Sequence, residues 1–427
     1  MRKAHGHEFS YDDSVRADGV SRRSLLKGAS LATMSAAIGA AIPFGRFMPE
    51  GYVPVALAQE AKLDFPGKSA ELVVIGDKPL VAETPAHLLD HDVTPTEVHY
   101  IRNNGQIPEL PADPDAWEIT IDGEVDSPLT STLGELRDRF ENVTHQLVLE
   151  CGGNGRSQFV PAARGNPWTT GGVGCARWTG VRLKEVLEAA GPKSSAIYTA
   201  HYGADPHLSG DPEKDALSRG VRLEKAMEPH TLVAFAMNGE PLSAVHGAPV
   251  RLIVPGWSGS ASQKWLTRIQ LRDVEHDGQG MKETSYRVPV VPIVPGTDHK
   301  GEGFRILESM PVKSLITSPA DGSRPPAGTR ELEVRGHAWA GDLTVQDVFV
   351  SIDFGQTWQK AEVQDPVNRY AWQRWSTKVA LPADGYYEVW ARAVDSNGKS
   401  QPFTAPNWNP GGYGGNAYHR IAVLIES

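Results

Sequence analysis

Cysteine is scarce in this sequence: only Cys151 and Cys175 occur in 427 residues. Two thiols in unlike surroundings exclude a disulfide framework, and without a CxxC pair they exclude a zinc ribbon and a dithiol redox centre. The chain also lacks an HExxH zinc motif, a CxxCH haem-attachment motif and a GxGxxG dinucleotide turn. Positive charge is in short supply, with 42 Lys and Arg against 52 Asp and Glu, and this disfavours nucleic acid as a partner. Beyond the leader no apolar run is long enough to span a membrane.

What is present is the composition of a packed globular protein: 40% apolar residues, 22% charged residues and 11 Trp. The length favours two domains. At the start, Ser21-Arg22-Arg23-Ser24-Leu25-Leu26-Lys27 precedes a small-residue apolar stretch from Gly28 to Pro43, and Ala56-Leu57-Ala58 follows. Residues 1–58 are expected to be a twin-arginine export signal, with the mature chain beginning near Gln59 in the periplasm. That route carries folded proteins and suits a cofactor installed before export. Both cysteines are expected to be free thiols.

Residues 59–111, rich in Pro, His and acidic residues, predict an extended segment wrapping over the catalytic domain. Residues 112–288 alternate strands and isolated helices. Glu118 to Val125 reads as a strand, and Thr132 with Glu135 makes a capping box for a short helix. Gln146–Glu150 is a short strand emptying into the glycine loop Cys151-Gly152-Gly153-Asn154-Gly155-Arg156. A helix is expected from Thr179 to Ala190, stopped by Gly191-Pro192. A second strand, Pro249 to Val254, ends in another glycine loop, Pro255–Ser260, soon followed by Lys264. The proline-rich start of 289–311 predicts a stiff linker. Beyond it, Val348, Val350 and Ile352, then Tyr387, Val389, Ala391 and Ala393, alternate as in an antiparallel β-sandwich of immunoglobulin-like size. The expected fold class is α+β: a mixed α+β domain followed by that sandwich at 312–427.

Cys151 carries the chemical question. Alone it could be a buried structural thiol. A nucleophile would need a base, and no short local signature supplies one. At a strand end beside Asn154 and Arg156, a nearby cation favours the thiolate, the form that binds a soft metal.

The segments Cys151–Arg156, Ala176-Arg177-Trp178-Thr179-Gly180-Val181, Met237-Asn238-Gly239-Glu240-Pro241-Leu242, His246-Gly247-Ala248-Pro249-Val250-Arg251 and Gln263-Lys264-Trp265-Leu266 resemble, in order, the sulfite oxidase family. The C-terminal Trp408-Asn409-Pro410 and Tyr418-His419-Arg420 resemble its dimerisation domain. The resemblance implies a molybdenum–molybdopterin cofactor, with Cys151 as the one protein ligand to the metal. It implies pterin and phosphate contacts from Tyr100, Ile101, Arg102, Asn103, Asn104, Asp205, His246, Arg251, Ser262, Gln263 and Lys264. It implies a substrate pocket formed by Arg102, Arg156, Trp168 and Tyr286.

Two departures narrow this expectation. Gly411 stands where sulfite-oxidising members carry an Arg, and Asn104 where many carry His. A more open, less cationic pocket suits sulfur presented on a carrier. With the Met48-Pro49-Glu50-Gly51 segment, these features resemble the branch of the family formed by molybdenum subunits of sulfane dehydrogenases. That branch implies oxidation of sulfane sulfur on a carrier protein during thiosulfate oxidation. It also implies a c-type cytochrome subunit as electron acceptor, no haem on this chain, and a homodimer or heterotetramer. The alternatives are a sulfite dehydrogenase with the same cofactor and, of a different class, a cofactor-free periplasmic anion-binding protein.

Overall fold

A ten-residue strand, Val173–Arg182, organises the first half of the protein, because both of its edges are paired. In the computed structural model, which describes residues 63–297 and 299–426, it pairs antiparallel with Asn142–Glu150 on one side and Leu232–Met237 on the other. The helix expected from Thr179 therefore begins four residues later, at Leu183–Ala190. Val173, Thr179 and Val181 are β-branched, and two partners' hydrogen bonds outweigh the helical spacing of Val186 and Leu187. Gly191 at φ +68 caps that helix, as its glycine predicts.

A second sheet runs Leu129–Thr132, Glu118–Gly123, Leu266–Arg272, Tyr198–Gly203, Gly220–Arg222, with one parallel pair, Leu266–Arg272 beside Glu118–Gly123. Ile119, Ile121, Ile269 and Leu271 from this sheet share one core with Val181, Val233 and Leu252 of the first sheet and with Leu183, Val186 and Leu187. The Thr132–Glu135 capping box forms as expected at the helix Leu133–Arg139.

Three α-helices of at most eight residues stand against twenty-three strands among the described residues, so the expected α+β balance is in fact mostly sheet. The segment expected to be extended holds a three-stranded sheet, Val73–Asp77, Leu80–Glu83 and Ile101–Arg102. The proline-rich linker holds Phe304–Ile306, paired with Arg287–Pro289. Two four-stranded sheets follow. They enclose an apolar core that includes Val334, Val348, Trp375, Val389 and Val423, the two-layer sandwich that the alternating pattern predicts. No helix of the described residues is long and apolar enough to cross a membrane. The export signal at 1–58 and the Met48–Gly51 segment lie outside the described residues.

Four buried histidines tie this fold to pH. Burial holds His201 and His337 down to about 3 and His276 and His419 to about 4. Below the ordinary histidine value near 6.5 the unfolded chain binds protons that the folded chain refuses, so stability falls with falling pH. His99 and His246 act the same way, and Asp205, pushed up to about 6 by burial, works in the opposite direction. Unfolding temperature is expected to fall steadily from about pH 6.5 to about 4. Calorimetry across that range checks this, and a level profile down to pH 4 would refute it.

Candidate functional site

The Cys151 loop is fixed from both ends. The Cys151 amide donates to Gly172 O at 2.8 Å, and the Cys151 carbonyl accepts from the Asn154 amide at 2.9 Å. Gly155 takes φ +89, the left-handed region that glycine adopts without strain. A Cβ on Gly153 would lie 2.2 Å from an Arg156 guanidinium nitrogen, so glycine there leaves room for that side chain. Asn154 bridges the loop, donating to Glu150 Oε1 at 3.0 Å and accepting from the Gly172 amide at 3.0 Å.

Glu150 in turn is held by the second domain. Its carboxylate pairs with Lys313 and accepts from Trp339 Nε1 at 2.8 Å, while Lys313 Nζ also donates to Asn154 O at 2.9 Å. Lys313 and Glu150 are 7% and 2% exposed, so this is a buried ion pair whose remaining valences are satisfied. The second glycine loop meets the first here through a bridge between Glu150 and Ser258.

Beside Cys151 lies a cavity. Of the residues expected to hold a cofactor, Tyr100, Arg102, Asn103, Asn104, Cys151 and Asp205 line it, as do His246, Arg251, Ser262, Gln263 and Lys264. Tyr286, expected at the substrate pocket, lines it too. Ile101 does not: it is fully buried in a separate apolar cluster with Leu63, Leu72 and Val245.

Arg156 and Trp168 are likewise absent from the cavity wall. Arg156 spends Nε on Gly411 O (2.7 Å) and an Nη on Asn166 O (2.8 Å), and its guanidinium lies 5.4 Å from the Tyr413 ring. Tyr413 stacks on Tyr286 at 4.8 Å. Trp168 packs edge-on beneath Tyr100 at 5.8 Å. Sequence reasoning missed His99, Leu217 and Trp265 on the wall, Tyr413 behind Tyr286, and Lys313 and Lys68 outside it. His99 adjoins Tyr100 in sequence and could have been suspected. Lys68 and Lys313 carry no local signal, because only the fold brings them here.

The cavity wall is strongly cationic. Arg251, Lys264 and Arg102 face a single carboxylate among the lining residues, Asp205. Burial lowers Arg251 to about 10 and Lys264 well below its ordinary value, the latter with Arg251 adding repulsion. Arg251 Nε, His99 Nε2 and Gln263 Oε1 are buried without a partner. Buried cations with unspent donors are costly unless a polyanion answers them. Among the described residues no cluster of three His, Cys, Asp or Glu could hold a bare metal ion. One thiolate beside a cradle of cations and unpaired polar atoms therefore fits a metal that arrives with an anionic organic carrier supplying its other ligands.

Known proteins agree with that geometry. Residues 104–280 match the family model of the oxidoreductase molybdopterin binding domain, and residues 305–426 that of the Mo-co oxidoreductase dimerisation domain. Human mitochondrial sulfite oxidase is 34% identical over 400 residues, spanning 90% of this chain and 71% of that protein. The chain belongs to the sulfite oxidase family. The NADPH nitrate reductase of Neurospora crassa is 34% identical over 338 residues, 69% of this chain and 33% of its own. The crystal structure of the sulfane dehydrogenase SoxCD from Paracoccus pantotrophus shares the fold, with a TM-score of 0.67 over 98% of this chain and 96% of that one, at 24% identity. The protein is thus a molybdenum-cofactor oxidoreductase, and the cofactor-free anion-binding alternative is set aside. Cys151 and Cys175 are both free, as expected. Burial pushes Cys175 up to about 12, leaving it an inert thiol.

Removing Lys313 leaves Glu150 buried and unpaired. Lys313→Met is expected to cost about 3–5 kcal/mol in denaturant unfolding. A cost below about 1 kcal/mol would show that the pair does not anchor the Cys151 loop.

Proposed function

We propose that this protein oxidises sulfane sulfur bound to a carrier protein in the periplasm during thiosulfate oxidation, passing the electrons to a c-type cytochrome subunit. The observation that carries this reading is the wall around Tyr286. Gly411 has no side chain to offer a substrate anion, and its carbonyl instead occupies Arg156 at 2.7 Å. Tyr413 covers the Arg156 guanidinium, and Arg219, 4.7 Å from the Tyr286 ring, is fully buried and off the cavity wall. A small doubly charged oxyanion would find neither a free Arg156 nor a side chain at position 411 to bind it, whereas a sulfur atom presented on a peptide arm needs neither. The likeness in fold to a sulfane dehydrogenase supports the same reading.

When bound, the molybdenum group supplies two-electron oxygen-atom transfer to sulfur. The chain's own residues do the rest. Cys151 holds the metal at the end of the strand Asn142–Glu150. Arg102 draws negative charge toward the cavity. Tyr286 presents a phenol that gives and accepts hydrogen bonds, kept in place by its stack on Tyr413. In this reading the C-terminal sandwich is an immunoglobulin-like dimerisation module, and the assembly is a homodimer or a heterotetramer with the cytochrome. Sulfite dehydrogenase is the second reading, favoured by the 34% identity to human sulfite oxidase.

Turnover with a carrier protein bearing a cysteine persulfide, against turnover with free sulfite, separates the two. The carrier-bound substrate is expected to be preferred, and efficient oxidation of sulfite with none of the carrier substrate would reverse the proposal. Gly411→Arg sharpens the comparison, because a Cβ at Gly411 already meets the Tyr413 ring at 2.2 Å, so the new side chain must displace that ring. It is expected to raise kcat/KM for sulfite by about 10-fold, the kinetic equivalent of one charge-assisted hydrogen bond. Unchanged sulfite kinetics would show that the missing arginine does not set the preference.

A further inference from the structure

Lys68 belongs to the N-terminal segment, outside both matched family regions, yet its side chain reaches His246 on the cavity wall from behind. Nζ lies 2.5 Å from Thr96 O, 2.6 Å from His99 O and 3.1 Å from His246 Nε2. An ammonium has three N–H bonds and no lone pair. Two are taken by carbonyls, which can only accept, and the third points at His246 Nε2. With Lys68 as an ammonium that nitrogen is the accepting one, and the ring proton resides on Nδ1. His246 is 2% exposed and lines the cavity, and its Nδ1 has no hydrogen-bond partner among the described residues. His99, edge-on to His246 at 5.2 Å, is arranged the other way round. Its Nδ1 lies 3.3 Å from Tyr100 O, which fixes the proton there and leaves the buried, unpartnered Nε2 as an acceptor.

We propose that Lys68 is a positioning residue for the cofactor: it fixes His246 as an Nδ1–H donor at the cavity wall, beside His99 as an Nε2 acceptor. The inference rests on the pterin cofactor occupying this cavity. Burial keeps both rings neutral, holding His99 and His246 well below the ordinary histidine value, so each has one N–H to assign. Burial also lowers Lys68 to about 7 against the pull of Glu97. Arg251 and Lys264 face the same two rings and oppose any added positive charge. An anion held beside His246 acts against both effects and favours the ammonium form that donates three times.

Nitrogen-15 histidine spectra of the holoprotein test the tautomer directly, with His246 assigned by the signal lost in His246→Gln. A protonated Nδ1 and an accepting Nε2 on His246 are expected, and a protonated Nε2 would overturn the proposal whatever any variant does. Lys68→Met is expected to weaken cofactor retention by about 10-fold, read as molybdopterin released on dilution, in keeping with the effect of orienting partners behind a ligand-binding histidine. Wild-type retention together with an unchanged His246 spectrum in Lys68→Met would also overturn it. Molybdopterin analysis of the unaltered protein reads the occupant separately. If the cofactor is missing while the His246 tautomer is as stated, the assignment of the cavity and the positioning role both fail, and only the Lys68–His246 hydrogen bond is upheld.

Discussion

The site depends on one buried ion pair between domains. Glu150 ends the strand that delivers Cys151, and Lys313, the first residue of the sandwich's first strand, neutralises it. Neither charge is tolerable alone in that interior, so the Cys151 loop and the second domain must be correctly placed together. Trp339 and Asn154 use the remaining carboxylate valences, which turns a charge pair into a fixed joint. Because the strand Val173–Arg182 pairs with the Cys151 strand along its whole length, this joint also sets the register of the first sheet.

The second constraint is electrostatic and concerns what the cavity must hold. Arg251, Lys264 and Arg102 converge on it with one carboxylate, Asp205, in the wall. Burial raises Asp205 to about 6, so its negative charge is itself weakened. Such a wall is built for a polyanion, and the thiolate of Cys151 is built for the soft metal that the polyanion brings. Family membership supplies the cofactor's identity, and the chemistry of the wall fits it.

Much of this was legible in the sequence because it is local. The capping box at Thr132, the glycine stop at Gly191, the glycine loop after Glu150 and the alternation through Val348 and Val350 each lie within a few residues. Most of the polar residues lining the cavity were legible through ordered motifs. What escaped was set by long-range pairing. The helix expected from Thr179 lost its first turn to a strand that has two partners. The proline-rich linker gained a hairpin because Arg287–Pro289 finds Phe304–Ile306. Arg156 was expected at the substrate pocket, but Gly411, 255 positions later, supplies the carbonyl that turns it away. Ile101 was carried along with its neighbours, although strand alternation points Ile101 and Arg102 to opposite faces.

The central claim is that Cys151 is the one bond from this chain to molybdenum. Molybdenum-edge X-ray absorption of the folded protein, beside that of Cys151→Ser, tests it most directly. The account predicts a metal-loaded protein whose variant shows one sulfur neighbour fewer around the metal. An unchanged sulfur shell in the variant, or a protein that folds and is exported without molybdenum, would contradict it.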